Sequence, residues 1–140
     1  MPFERRWLLK DRVCFVQLIG TVSLDDVTTL STDHEKWLKT SDKKHNIHYI
    51  VDTKMIASYP RGFFEIKSHL VGRMNRLGWL ILLSDDYFIK HLGDMFGQLF
   101  HFNVKTAASV VDAYRFLQAM DEIPVPDSWP GNLNDTMPMK

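Results

Sequence analysis

Val13-Cys14-Phe15-Val16-Gln17-Leu18-Ile19 is the stretch that decides the fold. Successive strand residues point to opposite faces, and here both sets are apolar: Val13, Phe15 and Ile19 on one face, Cys14, Val16 and Leu18 on the other. A strand of this kind is a central strand, covered on both sides as in α/β sheets. Just upstream, Glu4 to Lys10 is a second β-rich run. Only Asp11-Arg12 separates the two, which suits a tight antiparallel hairpin.

Downstream the pattern changes period. After Gly20, Ser23-Leu24-Asp25-Asp26 forms a capping box: the serine hydroxyl takes a free amide proton while acids sit at the positive end of the helix. Val27, Leu30, His34, Trp37 and Leu38 then recur at helical spacing and predict one apolar face. Lys39 to Asn46 reads as a polar loop, and Ile47 to Asp52 as a short buried strand ending on an acid. A loop through Ser58 and Pro60 leads to a second helix bearing Phe63, Ile66, Leu70, Met74 and Leu77, with proline at its entry and Gly78 at its end. Trp79 to Leu83 is the next strand. Ser84-Asp85-Asp86 opens a third helix with Phe88, Leu92, Met95, Phe96 and Leu99. His101 to Val104 is a last short strand, and the capping box Ser109-Val110-Val111-Asp112 opens a helix burying Ala113, Phe116, Leu117 and Met120.

The order β-β-α-β-α-β-α-β-α implies parallel strands joined by right-handed crossovers, with an antiparallel pair added by the opening hairpin. The expected fold class is α/β, a mixed five-stranded sheet with four helices in a two- or three-layer sandwich. In such sheets ligands sit beyond the carboxyl ends of the parallel strands. Residues 1–120 form the expected domain. Residues 121–140, with Pro124, Pro126, Pro130 and Pro138, form an expected extended tail in which Trp129 is an anchor for the domain or for another subunit.

Composition bounds the function more than it names it. The 140 residues carry 17 basic and 17 acidic side chains, so the chain lacks the basic excess of a general nucleic-acid binder. The balance hides a split: residues 1–76 carry 13 basic and 9 acidic residues, a net +4, and the remainder a net −4. Lys43, Lys44, Lys54, Arg61, Arg73 and Arg76 are expected around the start of the second helix. The single cysteine, Cys14, makes no internal bridge, which favours a reducing, cytoplasmic setting. The opening residues are not expected to form a signal peptide, and the longest apolar run, Trp79 to Leu83, is far below the roughly 20 residues of a membrane-spanning helix.

The hairpin, the helix start from Gly20 to Leu24, the strand end Ile50-Val51-Asp52 and the following loop and helix with Gly62 together resemble the anti-sigma-factor-antagonist, or STAS-like, family. Asp112-Ala113 before Phe116-Leu117 is similar to the last helix of that group. The resemblance covers roughly Phe3 to Met120 and implies a non-enzymatic regulatory or protein-interaction module. Phosphorylated members carry Asp-Ser-Ser-Gly or a close variant after the central strand, with the acceptor serine before the glycine. If Gly62 matches that glycine, Arg61 stands at the acceptor position, preceded by Tyr59 and Pro60. Phosphorylation there is not implied, and Ser58 or Thr53 stands in only with a shifted alignment.

Ser58, Tyr59, Arg61, Gly62, Phe63 and Phe64 are therefore the candidate ligand- or partner-binding residues. Arg61 at a helix start adds a guanidinium fork to free amides and a positive dipole end, a combination that suits an anionic group. The expected partners are a protein or a second copy of the chain. The alternative is a small amphipathic, anionic or lipid-like ligand held between helices two and three, where Gly93-x-x-x-Gly97, Met95, Phe96, Leu99 and Phe100 supply an apolar excess. No cofactor, catalytic set or metal site is expected. His45-x-x-His48 lacks a third ligand, Cys14 reads as a small buried hydrophobe, His34 as a half-buried core histidine, and Asp52 as a turn or cap.

Overall fold

The computed structural model describes residues 3–40, 46–58, 76–84, 90–91, 94, 103–127 and 129. Strands β1 (Phe3–Leu9) and β2 (Val13–Thr21) form the expected hairpin; β3 (Ile47–Ser58), β4 (Leu77–Leu83) and β5 (Asn103–Ala107) complete a five-stranded sheet in the order β1-β2-β3-β4-β5. Only β1 runs antiparallel to its neighbour; β2 to β5 are parallel. At the hairpin turn Asp11 takes a left-handed φ of 63°, and the Arg12 amide donates to the Leu9 carbonyl at 3.0 Å. Aspartate tolerates that conformation better than most side chains.

Two helices are delimited among the described residues, α1 (Leu24–Thr40) and α2 (Val110–Asp121). The expected second helix, and the third apart from Lys90, His91 and Asp94, which are helical and exposed, lie outside the described residues. The first capping box forms in both directions, and the serine half of the second forms. The Ser23 hydroxyl accepts the Asp26 amide at 3.2 Å while the Asp26 carboxylate accepts the Ser23 amide at 2.8 Å. The Ser109 hydroxyl accepts the Asp112 amide at 3.1 Å.

The helices take opposite faces, so the sandwich has three layers. Val13 and Phe15 of β2 join Leu8, Ile50, Ile81 and Leu83 beneath the Val110, Ala113, Tyr114 and Leu117 face of α2. Cys14 and Val16 join Phe3, Ile47 and Tyr49 on the other face, with Leu18 of β2 and Leu30, Trp37 and Leu38 of α1 packed against them. The two parities of β2 thus separate into two cores.

Three boundaries and one burial differ from the expectation. β3 does not stop at Asp52 but continues to Ser58, because β2 continues beside it: Ile19 pairs with Met55, Gly20 with Ile56 and Thr21 with Ser58. Leu77 and Gly78 belong to β4, where Leu77 pairs with Ile47, so Gly78 is not a helix end. The turn preceding β4 is made by Arg76, at φ 57°. β5 runs from Asn103 to Ala107 instead of ending at Val104, held by pairing with Trp79 to Leu83 of β4. Met120 of α2 is 56% exposed, not buried, while Tyr114 is fully buried.

After α2 the chain turns at Glu122, which is left-handed at φ 49°, and returns over the sheet. Ile123 is fully buried, and Trp129 meets Tyr114 edge-to-face with ring centroids 6.1 Å apart. The Tyr114 hydroxyl donates to the Pro124 carbonyl at 2.8 Å, the Asp127 amide to the Leu8 carbonyl at 2.6 Å, and the Lys10 amide to the Asp127 carboxylate at 3.1 Å. Residues 122–127 and Trp129 are thus strapped across the β1–β2 hairpin, with Trp129 anchoring on the domain itself.

Candidate functional site

The carboxyl end of the sheet is where the sequence places a site. β4 pairs with β3 only as far as Asp52 with Leu83, and β1 pairs with β2 only as far as Phe3 with Leu18. Beyond those points residues 19–21 and residues 55–58 continue as a paired ribbon, with no β1 or β4 partner among the described residues. Met55 on this ribbon is 59% exposed, and Lys54 and Ala57 are exposed too. Ser58 is the ribbon's last residue. Tyr59, Arg61, Gly62, Phe63 and Phe64 lie outside the described residues, as do Lys43, Lys44 and Arg73 and the segment proposed to hold a ligand between helices two and three.

The polar groups at the base of the ribbon are engaged. Thr53 is buried, with its hydroxyl donated to the Leu83 carbonyl at 2.8 Å, so it is no accessible stand-in for a phosphoacceptor. Asp52 is buried inside β3, where its carboxylate accepts the Lys54 amide at 3.0 Å; it braces the strand instead of ending it. The Lys54 ammonium donates to the Ala108 carbonyl at 3.2 Å, just ahead of α2. Arg76 is not part of this end. Its carbonyl accepts the Ile47 amide at 3.0 Å, at the start of β3, and Ile47 and Ser58 bound a 12-residue strand, roughly 35 Å long at strand rise.

The opposite end holds a polar cluster that sequence spacing does not reveal. His48, at the start of β3, is buried with 4% of its side chain exposed. Its Nδ1 accepts the Trp79 amide of β4 at 2.8 Å, and its Nε2 lies 2.8 Å from the Asp121 carboxylate at the end of α2. Because Nδ1 accepts, Nε2 carries the proton and donates to Asp121. The Arg12 guanidinium approaches the same carboxylate oxygen at 3.4 Å, and the His48 amide donates to the Arg12 carbonyl at 2.7 Å. A Cβ at Gly78 would collide with the His48 ring, so glycine is what lets the ring lie on β4. Burial pushes the His48 pKa below its ordinary value of 6.5, against an opposing pull from Asp121. Burial alone would raise the Asp121 pKa, but the hydrogen bond and charge of His48 and the Arg12 guanidinium hold it below 3.8.

His34 is fully buried, not half-buried as its place on α1 suggests, with Nδ1 2.7 Å from the Tyr49 hydroxyl. Burial raises the Tyr49 pKa well above its ordinary value, which keeps the hydroxyl protonated. Trp37 stacks on Tyr49 and tilts against Trp7, and Arg5 covers Trp37 and Phe3 while pairing with Asp33. Burial pushes the Cys14 thiol up to about 12, so at neutral pH it is a packed hydrophobe and not a nucleophile. Among the described residues no group of three or more His, Cys, Asp or Glu could hold a metal ion, and no helix is long and apolar enough to cross a membrane.

No family model and no curated protein matches the sequence. Solved structures do match the backbone. An uncharacterised protein of the DUF3478 family from Shewanella loihica PV-4, described as having a SpoIIAA-like fold, aligns with a TM-score of 0.63 at 9% identity, over 82% of this chain and 91% of that one. The anti-sigma factor antagonist SpoIIAA in its unphosphorylated form aligns with a TM-score of 0.57 at 14% identity, over 83% of this chain and 97% of that one. At such identities the likeness rests on strand order, direction and helix placement, and by these the chain has the SpoIIAA-like, or STAS-like, fold.

Proposed function

We propose that the protein is a non-enzymatic regulatory module that binds a protein partner at the carboxyl end of its sheet, through the ribbon and the residues that follow it. The observation that carries this reading is the ribbon itself: β2 and β3 outrun β1 and β4 and present Met55, a large apolar side chain, at 59% exposure. Polarizable, flexible methionine suits a binding surface. The fold supports the same class, since a solved structure that shares it is an anti-sigma factor antagonist. Ser58, Tyr59, Arg61, Gly62, Phe63 and Phe64 complete the proposed surface, with Arg61 receiving an anionic group of the partner in place of a phosphoserine. The buried, unbridged Cys14 supports a reducing, cytoplasmic setting.

Affinity purification from the source cells, followed by quantitative binding of the recovered partner to Met55→Glu and Arg61→Ala, tests this. Each substitution is expected to weaken binding tenfold or more while leaving thermal stability unchanged. Wild-type affinity in both variants would place the interface elsewhere. Titration with millimolar phosphate separately tests the anion site: the amide resonances of Arg61 to Phe63 are expected to shift, and unshifted resonances would remove Arg61 from the proposal.

A further inference from the structure

We propose that His48, Asp121 and Arg12 form an acid-sensitive latch fastening the end of α2, and the strap that follows it, to the amino ends of β3 and β4. Both ring nitrogens of His48 are committed, Nδ1 to the Trp79 amide and Nε2–H to Asp121, each at 2.8 Å. An added proton must go on Nδ1, where it would face the Trp79 N–H, a donor against a donor. The ring cannot shift towards β4, where even a methyl group at Gly78 would overlap it. Protonation therefore breaks the Trp79 hydrogen bond or drives the ring out of its site.

The groups facing His48 decide the sign. Asp121, from α2, favours the charged ring, but it is 43% exposed, so water screens its attraction. Arg12, from the β1–β2 loop, adds a positive charge beside the same carboxylate and opposes a second cation. Arg76, in the turn before β4, is a further cationic residue at this end of the sheet. Burial of the ring penalises its charged form, and the net direction is a folded-state pKa below 6.5. A histidine depressed in this way contributes its stabilisation above its unfolded-state pKa and loses it as pH falls through the folded-state pKa. Below about pH 6.5 the latch therefore weakens, by up to roughly tenfold in its closing equilibrium per pH unit, until the folded-state value is reached and the loss levels off.

What the latch holds is specific. Asp121 is the last residue of α2, Glu122 is the left-handed turn after it, and Ile123 and Asp127 follow as the strap's core and hydrogen-bonded contacts. Opening at Asp121 loosens this segment before the rest of the sheet.

Hydrogen exchange of the full chain, read by mass spectrometry between pH 7.5 and 5 and corrected for the intrinsic pH dependence of exchange, tests the latch. Amides of residues 119–127 are expected to lose protection at least tenfold faster than those of β2 and α1, and in His48→Gln that pH dependence is expected to vanish. An identical pH response in His48→Gln, or unchanged protection of residues 119–127 down to pH 5, would overturn the proposal. Should the variant not fold, nitrogen NMR of the wild-type ring decides: a neutral Nε2–H tautomer that titrates below 6.5 supports the latch, and an Nδ1–H tautomer or a ring still charged above 6.5 refutes it.

Discussion

At the amino ends of the parallel strands, groups from distant parts of the chain close on one another: His48 of β3, the Trp79 amide of β4, Arg12 of the hairpin loop and Asp121 of α2 share one cluster, with the strap packed beside it. At the carboxyl ends, two strands run on beyond the described pairing of their neighbours and expose Met55. One sheet thus has a closed end and an open end. Buried, mutually satisfied polar groups are costly to disturb, whereas exposed positions off the core tolerate substitution. Stability should concentrate at the first end and binding at the second.

The hardest test of that contrast is Gly78→Ala. The added methyl overlaps the His48 ring and displaces it, leaving the Trp79 amide unpaired, so overpacking and a lost hydrogen bond together are expected to remove about 4 kcal/mol from the unfolding free energy. Urea denaturation measures it, and a loss below 1 kcal/mol would mean the closed end is not tightly packed. Ile123→Ala probes the strap. Deleting a fully buried isoleucine is expected to cost about 3 kcal/mol, and an unchanged melting curve would return residues beyond 121 to the status of a linker.

At the other end effects should shrink. Ser109→Ala removes the N-cap of α2, on the carboxyl side of β5, and is expected to cost about 1 kcal/mol in the same denaturation experiment. Met55→Glu is expected to change stability by less than about 0.5 kcal/mol. A cost comparable to that of Ile123→Ala would show that Met55 is a structural contact and not a binding one.

Chemistry was readable from sequence where its partners lie close along the chain. The two parities of residues 13–18 foretold two cores, and each capping serine is followed three residues later by its partner aspartate. Asp52 misled because acids are disfavoured in strands; its carboxylate is satisfied by the Lys54 amide two residues on, which lets the strand continue. Gly78 misled because glycine commonly ends helices, while here it makes room for a ring 30 residues earlier. The His48–Asp121 contact spans 73 residues, and no spacing rule reaches that far. The prolines after Glu122 suggested an extended tail; they do not prevent Ile123 and Asp127 from docking, since neither contact needs a proline N–H. As for the candidate binding residues, the structure adds that Ser58 ends a projecting strand.

The strap also bears on how the chain reaches its native state during synthesis. The Lys10–Asp127 contact joins residues separated by 117 positions, so the hairpin is made early and waits for nearly the whole described chain before its cover arrives. Until then Leu8, Leu9 and Val13 lack the side chain of Ile123 that completes their core. A ribosome-bound intermediate truncated before residue 122 should accordingly expose apolar surface on the hairpin, a surface of the kind chaperones protect before release.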